Sequence, residues 1–138
     1  MASFKFELVS PVRLLFSGDV DSVIVPGAEG EFMVLPGHAP VVSTLRPGIL
    51  SVQSGSDVKR LFVRGGFAEA SEKGLTVLAE DATPVEEINA AEFAASISAY
   101  EAKLAQAPSD EARFKMADTL FHLRAVQAQL AGGTPTAH

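Results

Sequence analysis

Apolar and polar positions follow two different periods along the chain. From Phe4 to about Leu78, short apolar runs are separated by glycine and proline, the pattern of antiparallel strands joined by tight turns. Phe4, Phe6 and Leu8 alternate with Lys5 and Glu7, which predicts a strand with one buried and one wetted face. Runs at Val20 to Val25, Phe32 to Leu35, Val41 to Leu45, Ile49 to Gln53, Leu61 to Arg64 and Leu75 to Ala79 predict further strands of a sandwich or barrel. Arg46-Pro47-Gly48 reads as a type II turn, with proline presetting a negative φ and glycine accepting a positive one. Ser54-Gly55 and Lys73-Gly74 mark hairpins. Gly65-Gly66-Phe67 lacks side chains where neighbouring strands have many, which predicts a bulge or a close backbone approach.

Near Ile88 the period lengthens. Asn89-Ala90-Ala91-Glu92 has the form of a helix start, with Asn89 as the cap and Glu92 reaching back to it. Phe93, Ile97, Tyr100 and Leu104 then fall on one helical stripe. Pro108-Ser109-Asp110 ends this helix and caps a second, whose apolar surface is predicted to comprise Met116, Ala117, Leu120, Phe121, Leu123 and Val126 before Gly132-Gly133 stops it. The expected organisation is a β domain over residues 1–87 and a helical hairpin over residues 88–138, with a disordered tail after about 131. Thirteen alanines between Asn89 and Ala131 favour helix but bury little area each. Such a hairpin should lean on the β domain or on another protein, weakly enough to be switchable.

Composition narrows the function classes. The net charge of -6, with eleven basic residues scattered among seventeen acidic ones, argues against nucleic acid as a partner. The absence of cysteine removes disulfides, thiolate nucleophiles and thiolate metal ligands. No apolar run reaches spanning length, and the first residues lack a secretory or transit pattern, so membrane association is expected only through other proteins.

Candidate chemistry is sparse. His38, in Leu35-Pro36-Gly37-His38-Ala39-Pro40, has no sequence-level partner to orient it as a base, and His122 and His138 stand apart from it. No two histidines lie within four residues of each other, so no metal is expected, and Gly27 and Gly30 lack the Gly-Lys-Ser/Thr ending of a phosphate loop. Carboxylate pairs such as Glu86 with Glu87 read as solvated linker charges. Neither a catalytic residue nor a cofactor is expected. Two rival readings remain open from the residues alone: a small-molecule-binding or enzymatic all-β barrel, such as a cupin-like fold, with an oligomerisation hairpin, and a hairpin adaptor on a β scaffold.

One ordered string of residues carries a resemblance. Phe16-Ser17-Gly18, Val25-Pro26-Gly27, Glu29-Gly30-Glu31-Phe32, Leu35 to Pro40, Leu45, Pro47-Gly48 and Gly65-Gly66-Phe67 together resemble the epsilon subunits of bacterial F-type ATP synthases, which are homologous to the mitochondrial delta subunit. The resemblance spans the chain, since the family also follows its β region with an alanine-rich helical hairpin. It implies an N-terminal antiparallel β-sandwich of about ten strands and a C-terminal two-helix antiparallel hairpin. It further implies a non-catalytic central-stalk subunit of a proton-translocating synthase, binding the gamma subunit and the c-ring at the cytoplasmic face of the bacterial inner membrane. By the same resemblance, Glu29, Glu31 and His38 are the expected partner contacts at the end of the sandwich facing the ring.

In some relatives the hairpin extends into the catalytic head and blocks hydrolysis. The resemblance therefore makes the alpha and beta subunits prospective partners of the hairpin, with Arg113, Lys115 and Arg124 as its regulatory contacts. Against Asp110, Glu111 and Asp118 these cations give the second helix a net charge of zero. Other relatives bind ATP through Ile or Leu, Asp, two variable residues, Arg and Ala at the hairpin's start. Here Ile88-Asn89-Ala90-Ala91-Glu92-Phe93 carries Asn89 for the aspartate and Glu92 for the arginine, so no nucleotide site is expected.

Overall fold

The computed structural model describes residues 3–131 and divides into two compact units, one ending at Pro84 and the other beginning at Val85. The first unit consists of eight strands: β1 (Phe4–Val9), β2 (Leu14–Val20), β3 (Ser22–Gly27), β4 (Gly30–Val34), β5 (Val41–Thr44), β6 (Gly48–Ser54), β7 (Asp57–Ser71) and β8 (Gly74–Pro84). Pairing is antiparallel throughout except between β1 and β8, which run parallel.

Two layers arise because β7 and β8 serve both. The first half of β7 pairs with β6 from Asp57 to Val63, and its second half pairs with β5 from Phe67 to Ala70. β8 pairs with β1 only from Gly74 to Leu78, while its pairing with β7 continues to Pro84. The first layer is therefore β2-β1-β8-β7-β5, and the second is β8-β7-β6-β3-β4. Eight strands thus supply two five-stranded layers, a β-sandwich followed by two helices, in keeping with the expected architecture.

The crossover lies at Gly65-Gly66. Both have positive φ, +71° and +105°, which L side chains rarely adopt. The space is closed as well: a Cβ on Gly66 would lie 1.9 Å from the Leu78 carbonyl oxygen, and one on Gly65 would strike the Glu80 carboxylate. The β7–β8 ladder skips the Gly65–Glu80 pair and resumes in register at Gly66–Ala79. The expected close approach is thus the bend by which a strand changes sheet.

Between the layers lies one apolar core. Phe6, Leu8, Val20, Val23, Val25, Leu50, Val63 and Val77 are fully enclosed, while Lys5 and Glu7 face outward as their alternation predicts. Each such side chain contributes about 1.5–3 kcal/mol by leaving water.

Three local expectations need correction. Gly48 does not take a positive φ, so Arg46-Pro47-Gly48 is not the expected type II turn; glycine is required there because a Cβ would come within 2.6 Å of the Pro26 ring. β2 was not among the expected strands, since its Ser17-Gly18-Asp19 run has the composition of a turn; it pairs with β1 from Phe4–Val20 to Val9–Leu14 with a register shift at Leu8/Val9, and Val20, expected to open the following strand, ends it. β7 is far longer than Leu61 to Arg64, because its charged beginning and glycine bend hide a continuous ladder.

The second unit opens with a 3-10 turn at Val85–Glu87 and continues into α1 (Ala90–Ala105) and α2 (Asp110–Leu130). Asn89 caps α1 by accepting a hydrogen bond from the Glu92 backbone N–H at 2.9 Å, and Ser109 caps α2 by accepting from that of Ala112 at 3.0 Å. Phe93 and Ile97 of α1 and Leu120, Leu123 and Val126 of α2 are buried. Phe121, expected among the apolar surface, is instead 66% exposed, and Ala117 is exposed too. At 100° per residue, Phe121 and Ala117 lie across the helix from Leu123. The expected helix stop at Gly132-Gly133 and the tail after it lie outside the described residues.

Gly66→Ala in the full chain should lower stability by about 3 kcal/mol, through forbidden backbone and a clash with backbone. Gly55→Ala, at a positive φ of +63° but in open space, should cost only about 1–2 kcal/mol. Denaturant melts of both variants check the ranking, and equal losses would show that the crossover is not specially constrained.

Candidate subunit interface

The three residues expected to touch a partner come from the β3–β4 hairpin and the β4–β5 loop. Glu29 occupies the two-residue turn between β3 and β4, where Gly27 pairs with Gly30, and Glu31 stands opposite Pro26 one step into β4. His38 lies in the loop from β4 to β5, held in a turn by the hydrogen bond its backbone N–H donates to the Leu35 carbonyl at 3.1 Å. The structure brings all three to one open cleft of about 380 Å³ at this end of the sandwich. Phe32, Val41 and Ser43 form part of its wall.

Within the cleft the imidazole is oriented. His38 Nδ1 sits 2.6 Å from the Ala39 carbonyl oxygen, which can only accept, so Nδ1 carries the proton and Nε2 is the free acceptor of the neutral ring. Its ring centroid is 6.5 Å from that of Phe32, at a 40° tilt. Glu29 and Glu31 are both exposed. The arrangement offers two carboxylates, a ring acceptor and an aromatic face, a surface suited to polar or cationic loops of another protein. Among the described residues, no group of three or more histidine, aspartate or glutamate side chains is gathered as a metal site, and no helix is long and apolar enough to cross a membrane.

The three cations expected to act together on the hairpin are separated. Lys115 Nζ lies 3.6 Å from Glu111 Oε1 one turn earlier, both side chains being about four-fifths exposed. Arg124 forms an ion pair across the hairpin with Glu101 of α1. Arg113 lies on the same flank of α2 as Arg124, and Lys115 on the opposite one, by the 100° step of the helix. What the sequence reading missed is Phe114, 76% exposed, which lies on the same side of α2 as the exposed Phe121, seven residues on. Their seven-residue spacing was the available signal.

Comparisons with known proteins bear on this geometry. Residues 3–85 match the family described as the ATP synthase delta/epsilon chain β-sandwich domain. The ATP synthase epsilon chain 1 of Nitrobacter hamburgensis is 53% identical over 130 residues, covering 94% of this chain and 96% of that one. The epsilon chain of Rhodopseudomonas palustris (strain BisB18) is 49% identical with the same coverage. Among solved structures, a chain of the Euglena gracilis mitochondrial ATP synthase, in an assembly of OSCP, F1 and c-ring, superposes with a TM-score of 0.78 at 28% identity, covering 94% of this chain and 82% of that one.

His38→Ala should leave stability within about 0.5 kcal/mol of the parent, since the ring is partly exposed and its bond is to its own neighbour. Chemical denaturation tests this, and a loss above about 2 kcal/mol would make His38 a structural residue. A double-mutant cycle on Glu101 and Arg124 should return only about 0.2–1 kcal/mol, because both side chains are roughly half exposed.

Proposed function

The chain belongs to the ATP synthase delta/epsilon family, among its epsilon chains, and on that premise we propose that it is a central-stalk subunit that transmits rotation between the c-ring and the gamma subunit. It is a non-catalytic subunit of the synthase. The observation that carries the coupling reading is the convergence of Glu29, Glu31 and His38, from the β3–β4 hairpin and the β4–β5 loop, on one cleft at one end of the sandwich. An acidic rim with an oriented ring acceptor suits the polar loops of a ring. The sandwich, tied together by strands shared between layers, supplies a stiff body able to carry torque. In this reading the chain sits peripherally at the cytoplasmic face of the inner membrane, held there by the complex.

The hairpin is the regulatory part in this proposal. Its buried side is narrow, and two large aromatic side chains stand in water on the other side of α2. Exposed apolar surface of that kind suits a second binding partner, here the alpha and beta subunits. Arg113 is the cation best placed for that role. Arg124 is engaged with Glu101 across the hairpin, and Lys115 pairs with Glu111 within α2 itself.

Glu29→Lys with Glu31→Lys should weaken association of the chain and its gamma partner with c-rings at least tenfold, while binding to gamma alone changes less than twofold. Sedimentation with ring-bearing vesicles measures both, and unchanged ring association would remove the cleft from the interface. The isolated chain should not bind ATP at millimolar concentration, because the Asn89 side chain already accepts from the Glu92 backbone N–H and the Glu92 carboxylate repels phosphate. Saturable 1:1 binding by calorimetry would contradict this.

A further inference from the structure

The cleft of Glu29, Glu31 and His38 has a donor and acceptor balance that its charge alone does not convey. Its lining holds neither lysine nor arginine. The two carboxylates can only accept hydrogen bonds. His38 commits its Nδ1 proton to the Ala39 carbonyl, which leaves Nε2 as an acceptor. Ser43 stands opposite the buried Ala68 and donates its hydroxyl proton to the Thr44 carbonyl at 2.9 Å, so its oxygen too is left to accept. Only the Thr44 hydroxyl, among the lining side chains, can serve either way. Four acceptors therefore meet from the β3–β4 hairpin, the β4–β5 loop and β5, with no cationic side chain among them.

The rest of the wall adds shape and an aromatic face. Phe32 and Val41 are partly buried and line the cleft, and the Phe32 ring lies 6.5 Å from that of His38. At about 380 Å³ the cleft is large enough for a small group and stands at the low end of ligand pockets, which run from about 300 to 1,000 Å³. Its guest must bring several donors at once, carry positive charge and tolerate contact with a ring. A guanidinium meets all three conditions, since it presents five N–H donors in a planar fork, is weakly hydrated and stacks on aromatic faces. An ammonium is a compact, strongly hydrated point charge and gains less from acceptors spread over three segments. An anion is repelled by both carboxylates.

We propose that the cleft is a guanidinium socket, filled in the assembly by one arginine side chain on a polar loop docked at this end of the sandwich. Glu29 and Glu31 are exposed and screened by water, so a free guanidino compound is held only at concentrations on the order of millimolar. An arginine carried on a docked loop is presented at a comparable effective concentration, and the socket then fixes the register of the contact. The proposal rests on the ring-contact reading and adds to it the group that enters the cleft and the atoms that receive it.

The test titrates the full, isotope-labelled chain with N-acetyl-arginine amide and N-acetyl-lysine amide, followed by NMR. Arginine amide should give saturable shifts centred on Phe32, His38 and Ser43, and lysine amide should bind about fivefold or more weakly. Glu29→Gln with Glu31→Gln should weaken arginine binding about fivefold or more at an unchanged melting temperature. Glu80→Gln, an exposed carboxylate outside the cleft, should stay within about twofold. In the assembly, blocking the arginines of ring-bearing vesicles with phenylglyoxal should weaken their association with the chain and gamma about tenfold or more, while acetylating their lysines should change it less than about threefold. Unsaturable shifts, shifts centred elsewhere, or equal binding of the two amides would overturn the proposal and leave the ring-contact reading standing. Specific arginine binding with vesicle association unmoved by phenylglyoxal would make a free guanidino compound the guest and overturn the proposal as stated. Failure of the parent chain to associate with untreated rings would overturn both.

Discussion

The paired passage of β7 and β8 from one layer to the other, at a point where only glycine fits, is the constraint on which the rest of the sandwich depends. Gly66 leaves no room for a Cβ against the Leu78 carbonyl, and the positive φ of Gly65 favours glycine there as well. Because the β7–β8 ladder keeps its register across the bend, the same two strands fix both sheets relative to each other. The Gly66 carbonyl also accepts the Leu45 backbone N–H at 3.0 Å, which ties the end of β5 to the crossover. The acidic cleft shares this anchorage, since it draws part of its wall from β5. A body built this way transmits force as one piece, which suits a stalk component better than an enzyme that must open and close around a substrate.

Much of the fold was legible because its signals are local. Alternation in Phe4 to Leu8, the hairpin signals at Ser54-Gly55 and Lys73-Gly74, and the caps Asn89 and Ser109 each depend on a few adjacent residues, and each reappears in the structure. The failures share a cause as well. β2 was hidden because Ser17-Gly18-Asp19 reads locally as a turn and becomes a strand only by pairing with β1, and the meaning of Gly48 depends on Pro26, more than twenty residues away in sequence. Phe121 misled because an apolar run on a helix does not say how wide a stripe its partner can cover.

The sites divide in the same way. Glu29, Glu31 and His38 were identified through a resemblance, and no spacing or chemistry in the sequence would have singled them out. The acceptor character of the cleft was invisible, since it depends on the hydrogen bonds that His38 and Ser43 make to backbone carbonyls and on the fold that brings Ser43 to the same wall. The hairpin's three cations were grouped through the same resemblance, whereas in the structure Lys115 pairs with Glu111 within α2 and Arg124 with Glu101 across the hairpin.

The most direct test of the central claim is a cryo-EM reconstruction of an ATP synthase rotor containing this chain, at a resolution that shows side chains. The account predicts that the cleft of Glu29, Glu31 and His38 faces the polar loops of the c-ring while the sandwich contacts gamma. A map with that end of the sandwich directed away from the ring, or with the chain absent from the stalk, would contradict it.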